Sequence, residues 1–350
     1  MYKIVNNTIV MAEHKEAIEL VLKTLTDGEG KVINSIDDID AIGHRAVHGG
    51  EEFASSVMVT DAVIAKMKEL IPLAPLHNPA NIMGMEICKE LMPDVPNVAV
   101  FDTAFHQTMP SCNYMYAVPF EDYKEHGVRK YGFHGTSHSY VSNEAKKLLN
   151  KEDSKIIVCH LGNGSSICAV RDGKSIDTSM GLTPLEGLIM GTRSGDIDAG
   201  VLSYLMNKKN MNADEMVNYL NKKSGLLGVS GISSDLREII EAAQNGDERA
   251  QTCIDMKCNR IKKYICSYAG MLEGVDAICF TAGIGENADL IREKVCSGLE
   301  FMGIEIDKEK NKIRNSEKRE INKESSKTKI YVIPTNEEFV IANDTYNLVK

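Results

Sequence analysis

Short apolar runs alternate with amphipathic stretches along most of the chain, which predicts an α/β protein. Buried strands are predicted where an apolar run is bounded by turn residues, at 97–101, 155–160 and 277–281. Two more strands are predicted at 167–170 and 175–178, on either side of a tight turn. With 155–160 they form an antiparallel meander that opens the second half.

Helices are predicted between 197 and 272, with one long helix over 249–272, and the first half begins with a helix-like stretch at 14–25. Residues 305–329 are rich in Lys, Glu, Asn and Ser, and we expect a solvated, mobile connection without chemistry. A last helix is expected to start at Thr335 or Asn336, which are good capping residues.

Bulk properties narrow the function. A chain of 350 residues predicts about two domains, and its net charge of -10 argues against nucleic acid or an anionic membrane as a partner. Nine scattered cysteines without a C-x-x-C pair predict free thiols of a reducing compartment. Because Met1–Asn7 holds no apolar stretch and no run reaches about 18 apolar residues, we expect a cytoplasmic protein.

Three glycine-rich turns suit phosphate oxygens, because glycine lets backbone N–H groups approach an anion closely. They lie at 162–166, 190–195 and 283–287, and none is a Walker A or G-x-G-x-x-G motif. Each turn alone is more often an ordinary tight turn. Three in one chain with arginines nearby favour phosphate handling.

Candidate catalytic side chains lie in glycine-bounded or strand-end positions. Arg45 and Arg193 can bind carboxylate or phosphoryl oxygens in a bidentate manner, and a structural ion pair is the alternative for each. His134 lies between glycines before a helix, where it can donate to a transferring phosphoryl group. Asp102 follows a strand, as catalytic or magnesium-binding carboxylates do, and a helix cap is its alternative.

Together these segments resemble the acetate kinase family of the sugar kinase/Hsp70/actin superfamily. The match runs in order from about His14 to the C-terminus and rests on long strings, which are GHRAVHGG at 43–50, LAPLHNP at 73–79, FDTAFH at 101–106, YGFHGTSH at 131–138, CHLGNGSS at 159–166, MGTR at 190–193, TAGIGEN at 281–287 and PTNEE at 334–338.

The resemblance implies reversible transfer of a phosphoryl group between ATP and acetate, giving acetyl phosphate and ADP. It implies that Asp102, His134 and Arg193 are catalytic and that Arg45 binds the substrate. The apolar pocket for the methyl end is implied at Val47, Leu76, Phe133 and Pro184. Propionate or butyrate as the acid stays an alternative, since one methylene discriminates by only about 1–3 kcal/mol.

Nucleotide and metal residues follow from the same resemblance. Nucleotide contacts are implied at His160, Leu161, Gly162, Asn163, Gly164, Asp235, Leu236, Arg237, Gly283, Ile284, Gly285, Glu286 and Asn287. Glu337 is implied as the residue associated with Mg²⁺ or Mn²⁺. The implied fold has two ribonuclease H-like domains around a cleft, with 1–103 plus 337–350 in the first and 104–336 in the nucleotide-binding second, and the implied assembly is a homodimer.

One departure concerns the front of the chain. Acetate kinases open with a strand and an Asn-x-Gly-Ser-Ser-Ser-x-Lys turn before the region that matches His14, and we expect this opening to be missing here. The first hypothesis is an acyl kinase whose sequence starts late, and the second is a naturally shortened, inactive relative that only binds nucleotide or dimerises. An actin- or Hsp70-like ATPase would share the fold but would not explain the strings around Arg45, His134 and Arg193.

Overall fold

The computed structural model describes residues 14–350, so the expectation drawn from Met1–Asn7 lies outside the described residues. The helices of this part are α1 His14–Thr26, α2 Asp61–Glu69, α3 Asn78–Leu91, α4 Ser111–Tyr114, α5 Phe120–His126, α6 Gly135–Leu149, α7 Ala199–Lys209, α8 Ala213–Lys222, α9 Gly225–Ser230, α10 Leu236–Gln244, α11 Glu248–Met271, α12 Ala282–Asn287, α13 Asp289–Cys296, α14 Lys308–Lys312 and α15 Glu337–Val349. The strands are β1 Ile42–Ala46, β2 Val57–Met58, β3 Asn97–Phe101, β4 Lys155–Leu161, β5 Ser165–Arg171, β6 Lys174–Thr178, β7 Ala277–Thr281, β8 Arg319–Glu320 and β9 Lys329–Val332.

The chain divides into two compact units. The first unit ends at Ala104 and also takes in Glu338–Lys350, and the second unit is Phe105–Glu337. These borders lie one residue from the domain limits expected from the sequence.

A three-stranded sheet organises the first unit. Its central strand β3 runs parallel to β1 and antiparallel to β2. Phe53 and Phe101 stack with ring centroids 4.5 Å apart, and Met67 of α2 and Met85 of α3 are fully buried beside them. Helix α15 lies against β1 so closely that a methyl group at Gly43 would come within 2.5 Å of the Thr345 hydroxyl.

The second unit is built on a six-stranded sheet in the order β6-β5-β4-β7-β9-β8. Strands β4, β5 and β6 form the antiparallel meander that the sequence predicted, and β4, β7 and β9 run parallel. Alternation along β4 divides the core, because Ile157 and Cys159 face one apolar layer while Ile156 and Val158 face the other.

Helix α11 is the long helix predicted near 249–272, and its buried face covers the first of these layers. Asp247 caps it by accepting a hydrogen bond from the Ala250 N–H. The buried face repeats every three to four residues through Cys253, Ile254, Lys257, Cys258, Ile261 and Ile265. A lysine thus occupies a position in this row that the pattern reserves for apolar residues.

Two expectations about loops are wrong. Residues 283–287 are not a turn before a helix but part of the helix α12 itself. Residues 305–329 are not merely a solvated connection, because they contain α14 and β8 and bury Ile306 and Ile321 in the core. None of the helices in residues 14–350 has the length and the apolar composition that a membrane span requires.

Candidate active site

The parallel pairing of β4 and β7 brings two of the glycine-rich segments to one edge of the second unit's sheet. In the register of this pair His160 lies opposite Thr281. The turn 162–164 leaves β4 just after this level, and α12 begins at the residue after Thr281. Segments that follow the carboxyl ends of neighbouring parallel strands form the usual ligand-binding edge of an α/β sheet.

The turn 162–164 is fixed by its own hydrogen bonds and by the Arg193 loop. The Gly162 N–H donates to the Gly164 carbonyl at 3.0 Å, and the Gly191 N–H donates to the Asn163 carbonyl at 3.0 Å. A methyl group at Gly191 would come within 1.8 Å of Asn163 Oδ1, so only glycine lets the two turns meet. The first and second glycine-rich turns are therefore one structural assembly.

His134 and Arg193 converge at Gly164. A methyl group at Gly164 would lie 3.5 Å from His134 Nε2 and 3.8 Å from Arg193 Nη1. The space beside this glycine is consequently bordered by a ring nitrogen, a guanidinium and the backbone of a turn. All three groups can contact an oxyanion.

Arg193 is a partly buried cation without a carboxylate partner among residues 14–350. Its Nη1 donates to the Pro184 carbonyl at 3.4 Å and lies 3.9 Å from Met190 Sδ. Burial lowers the pKa of the guanidinium, which still remains protonated at neutral pH. The ion-pair alternative is therefore wrong for Arg193. Within residues 14–350, no carboxylate neutralises its positive charge.

His134 and His138 share the hydroxyl group of Ser166. His134 Nδ1 lies 2.8 Å from Ser166 Oγ, and His138 Nε2 lies 2.7 Å from the same oxygen. The ring of His134 also stacks on His160, with centroids 4.2 Å apart. His134 caps α6 with a left-handed φ of 56°, a conformation that costs about 1–3 kcal/mol for a side-chain-bearing residue. The surrounding contacts evidently hold the ring in this place.

The segment that carries Glu337 is tied to the same edge. The Thr335 hydroxyl donates to Ser137 Oγ at 2.8 Å, and Ser137 Oγ lies 2.8 Å from His160 Nδ1. The Thr335 N–H donates to Glu286 of α12 at 3.3 Å. Glu337 follows two residues later as the first residue of α15.

The remaining predicted nucleotide residues divide into core and surface positions. Leu161 and Leu236 are buried in the core, so their side chains are occupied by packing. Asp235 caps α10 by accepting from the Arg237 N–H at 2.9 Å, and the Arg237 guanidinium holds the pKa of Asp235 down to about 2. In α12, Gly283 and Asn287 are exposed, Ile284 and Glu286 are half-buried, and Gly285 is packed against the end of β7.

In the first unit, Arg45 and Asp102 form a bidentate ion pair. Arg45 Nε donates to Asp102 Oδ1 at 3.0 Å, and Nη2 donates to Oδ2 at 2.6 Å. Both oxygens of Asp102 accept from Arg45, so the ion pair given as the alternative for Arg45 is present. The Asp102 side chain is 2% exposed and that of Arg45 is 46% exposed, so the arginine keeps a solvent-facing side.

Val47 and Leu76 lie on neighbouring segments of the first unit. The Val47 N–H donates to Asn81 of α3 at 3.0 Å, and Asn78 Nδ2 donates to the His48 carbonyl at 3.1 Å. Leu76 precedes this helix and is 68% exposed, while Val47 is half-buried. Phe133 and Pro184 belong to the second unit, where Phe133 is buried and Pro184 is half-buried.

Three residues of the site are missing from the sequence-based set. Ser166 and His138 were visible as a serine after the glycine turn and as a histidine four positions beyond His134. Only the packing of α6 against the sheet shows that they meet. Lys257 was signalled by its place in the apolar row of α11, which is an unusual position for a lysine.

Fold and site together define a mixed α/β protein with one sheet in each unit and two glycine-rich segments at one edge of the second unit's sheet. The chain matches the model of the acetokinase family over residues 3–343. It is 60% identical over 342 residues to an acetate kinase of Treponema denticola, covering 97% of this chain and 86% of the relative.

Two solved structures are also similar. The acetate kinase of Porphyromonas gingivalis has a TM-score of 0.93 and 51% identity, covering 97% of this chain and 85% of that one. A propionate kinase of Francisella tularensis has a TM-score of 0.90 and 48% identity, covering 96% and 85%. The chain belongs to the acetokinase family, and it is a phosphotransferase with a carboxyl group as acceptor. The expected α/β fold and the expected family are confirmed.

The buried His138 generates a prediction about pH. Burial is the main cause that lowers the pKa of His138 well below 6.5. The neighbouring His106, His160 and His134 lower it further. Below pH 6.5 His138 is therefore protonated in the unfolded chain but stays neutral in the folded chain. The free energy of unfolding consequently falls as the pH falls. We expect His138→Gln to remove this part of the slope, which is at most about 1.4 kcal/mol per pH unit.

Urea unfolding from pH 7.5 to 5.0 measures the effect as the difference between the two proteins. The exposed His126→Gln serves as the matched control and should leave the wild-type slope unchanged. Identical pH slopes for wild type and His138→Gln would contradict the assignment.

Proposed function

We propose that this protein transfers the γ-phosphoryl group of ATP to acetate, reversibly, giving acetyl phosphate and ADP. The observation that carries the proposal is the convergence of His134 Nε2 and Arg193 Nη1 on the backbone of Gly164. To catalyse phosphoryl transfer, a protein mainly has to position the reactants and to neutralise the charge on the transferring group. A guanidinium, an imidazole and a glycine turn around one small space meet that demand.

Arg193 and His134 are proposed to contact the phosphoryl group during transfer. Arg193 supplies a fixed positive charge that no described carboxylate neutralises. His134 acts as a hydrogen-bond donor from Nε2, the nitrogen that faces Gly164. Such a donor contributes most when it is oriented before the reaction begins.

The shared Ser166 hydroxyl supports this orientation of His134. His138 Nδ1 is buried without a partner among the described residues, and a buried N–H left without an acceptor is costly. The favoured tautomer of His138 therefore carries its proton on Nε2 and donates it to Ser166 Oγ. Ser166 then donates its own proton to His134 Nδ1, which leaves His134 protonated on Nε2.

The nucleotide is proposed to bind at the edge formed by the ends of β4 and β7. In turn 162–164 the N–H groups of Asn163 and Gly164 would take the phosphates, since that of Gly162 donates to the Gly164 carbonyl, and His160 lies just before the turn in β4. Asp235, Arg237 and α12 are proposed for the adenosine side. The side chains of Leu161 and Leu236 are packed in the core, so these residues would contact the nucleotide through their backbone. Gly285, which is packed against the end of β7, would do the same.

A divalent cation, Mg²⁺ or Mn²⁺, is proposed to accompany the nucleotide. Residues 14–350 contain no cluster of three His, Cys, Asp or Glu side chains that could hold a metal alone. This fits Mg²⁺, which is commonly held by one or two carboxylates together with substrate phosphates and water. Glu337 is the proposed carboxylate, and the bound cation would neutralise phosphate charge.

The acid is proposed to bind through Arg45, which keeps a solvent-facing side while Asp102 fixes its guanidinium in two places. Val47 and Leu76 are proposed to contact the methyl end, and the same role is proposed for Phe133 and Pro184. Acetate is favoured because the 60% identical relative is an acetate kinase. Propionate stays a second candidate because the similar F. tularensis structure is a propionate kinase.

The cytoplasm is the proposed compartment, because ATP is supplied there and all nine cysteines are free thiols. A homodimer is the proposed assembly. Helix α7 supports it, since none of its residues is fully buried although it carries the exposed Val201 and Tyr204.

Substituting Arg193 tests the proposed chemistry. Arg193→Ala should lower kcat about 100-fold or more, because it removes the charge beside the transferring group, and should leave the Tm within about 3 °C. Trapping of the acyl phosphate with hydroxylamine measures kcat. Arg171→Ala is the control, since Arg171 pairs with Asp153 on the surface and should keep wild-type activity. A collapse of Tm with kcat per folded molecule preserved would refute the role.

Substituting Val47 tests the pocket. Val47→Ala removes two methyl groups, so the ratio of kcat/KM for propionate to that for acetate should rise, by up to about tenfold for 1.4 kcal/mol. The exposed Val21→Ala should leave the ratio at its wild-type value. If the Val47 variant also keeps that ratio, Val47 does not line the pocket.

Substituting Tyr204 tests the assembly. Light scattering on the wild type should give twice the mass of one chain, and Tyr204→Glu should shift the protein towards the monomer by placing a charge on the apolar face. Lys263→Glu changes an exposed position on α11 and should stay dimeric. A monomeric wild type would overturn the proposal.

A further inference from the structure

Lys257 is a fully buried lysine in the middle of α11. No carboxylate pairs with it anywhere in residues 14–350, and the titratable groups that act on its charge are the thiols of Cys258 and Cys253. Burying an ammonium group without a counter-ion is unfavourable. The hydrogen bonds of the Lys257 ammonium group must therefore offset part of this cost.

Those hydrogen bonds reach the backs of both glycine-rich turns. Lys257 Nζ donates to the Ile189 carbonyl at 2.9 Å, and it lies 3.5 Å from Ser165 Oγ. Ser165 Oγ in turn donates to the Gly162 carbonyl at 2.9 Å. One ammonium group therefore touches the residue before the Arg193 loop and the residue that closes the 162–164 turn.

The two turns also depend on each other. The Gly191 N–H donates to the Asn163 carbonyl, and the Met190 N–H donates to the Arg193 carbonyl at 3.1 Å. An apolar side chain at 257 would fill the space but could satisfy neither the Ile189 carbonyl nor Ser165. The separation between Arg193 and the turn would then rest on fewer bonds.

We propose that Lys257 is a positioning residue that sets the distance between the 162–164 turn and Arg193. The inference rests on the proposed function of these two turns. Burial lowers the pKa of Lys257 to about 8, so at pH 7 the group is mostly charged and can donate to both partners. Charge-assisted hydrogen bonds of this kind are stronger and shorter than neutral ones.

The test compares Lys257→Met with Lys257→Arg in steady-state assays at pH 7. Lys257→Met should lower kcat 10- to 100-fold and raise the KM for ATP, while the KM for acetate changes less than threefold. Lys257→Arg keeps a charged donor and should recover kcat to within about fivefold of the wild type. A Lys257→Met enzyme with wild-type kcat and KM for ATP would overturn the proposal.

Two controls separate positioning from stability. Lys263→Met makes the same chemical change at an exposed site on α11 and should leave both constants unchanged. Ile261→Ala weakens the core one turn away and should lower the Tm without changing kcat per folded molecule. If Ile261→Ala reproduces the kinetic pattern of Lys257→Met, the role of Lys257 is only structural.

A double-mutant cycle with Arg193→Ala locates the effect. If Lys257 acts through the placement of Arg193, Lys257→Met should cost at least threefold less in the Arg193→Ala background than in the wild type. Full additivity would overturn the proposal. An Arg193→Ala enzyme with wild-type kcat would instead refute the proposed function itself, so the two failures are distinguishable.

If Lys257→Met does not give folded protein, Ser165→Ala tests the proposal in its place. It removes one of the two partners of the ammonium group and the bond to Gly162. Positioning predicts a kcat loss of at least threefold that disappears in the Arg193→Ala background. A Ser165→Ala enzyme with wild-type kcat would overturn the proposal.

Discussion

The candidate site depends above all on the parallel pairing of β4 with β7. Because His160 faces Thr281 in this register, the turn after β4 and the helix after β7 start at one edge of the sheet. Parallel pairing requires a long crossover, and here that crossover includes β5, β6 and the helices up to α11. The segment between the two strands is therefore also the segment that supplies Arg193 and Lys257, and one topological constraint gathers residues more than 100 positions apart.

The proposed reacting groups differ in how they are held. Arg45 is fixed by a carboxylate, whereas the contacts of Arg193 within residues 14–350 are a carbonyl, a sulfur atom and the loop around it. An arginine already paired with a carboxylate is well oriented but partly neutralised, which suits the binding of an acid. An arginine without such a pair keeps its full charge, which suits a transferring phosphoryl group. The two environments are thus in keeping with the two proposed roles.

Much of the fold could be predicted from the sequence, because apolar runs such as 97–101 and 277–281 are short and bounded by turn residues, which favours a buried strand. The meander and the long helix followed from the same patterns. Residues 305–329 could not be predicted well, since their charged surface positions conceal the few buried ones, Ile306 and Ile321. The helical start of α12 was equally hidden, because glycines that allow a turn also allow a helix.

The site was predictable as a set of residue types but not as a geometry. His134 and Arg193 were found by their glycine-rich surroundings, yet their meeting at Gly164 depends on tertiary packing. This packing also shows how a chain with a net charge of -10 can hold positive charge at the edge where phosphates are proposed to bind. Arg193 is partly buried and Lys257 fully buried, and neither has a carboxylate partner among residues 14–350, so water screens their charge less than that of a surface cation. The proposed binding of phosphates therefore depends on the local charge at this edge rather than on the net charge of the whole chain.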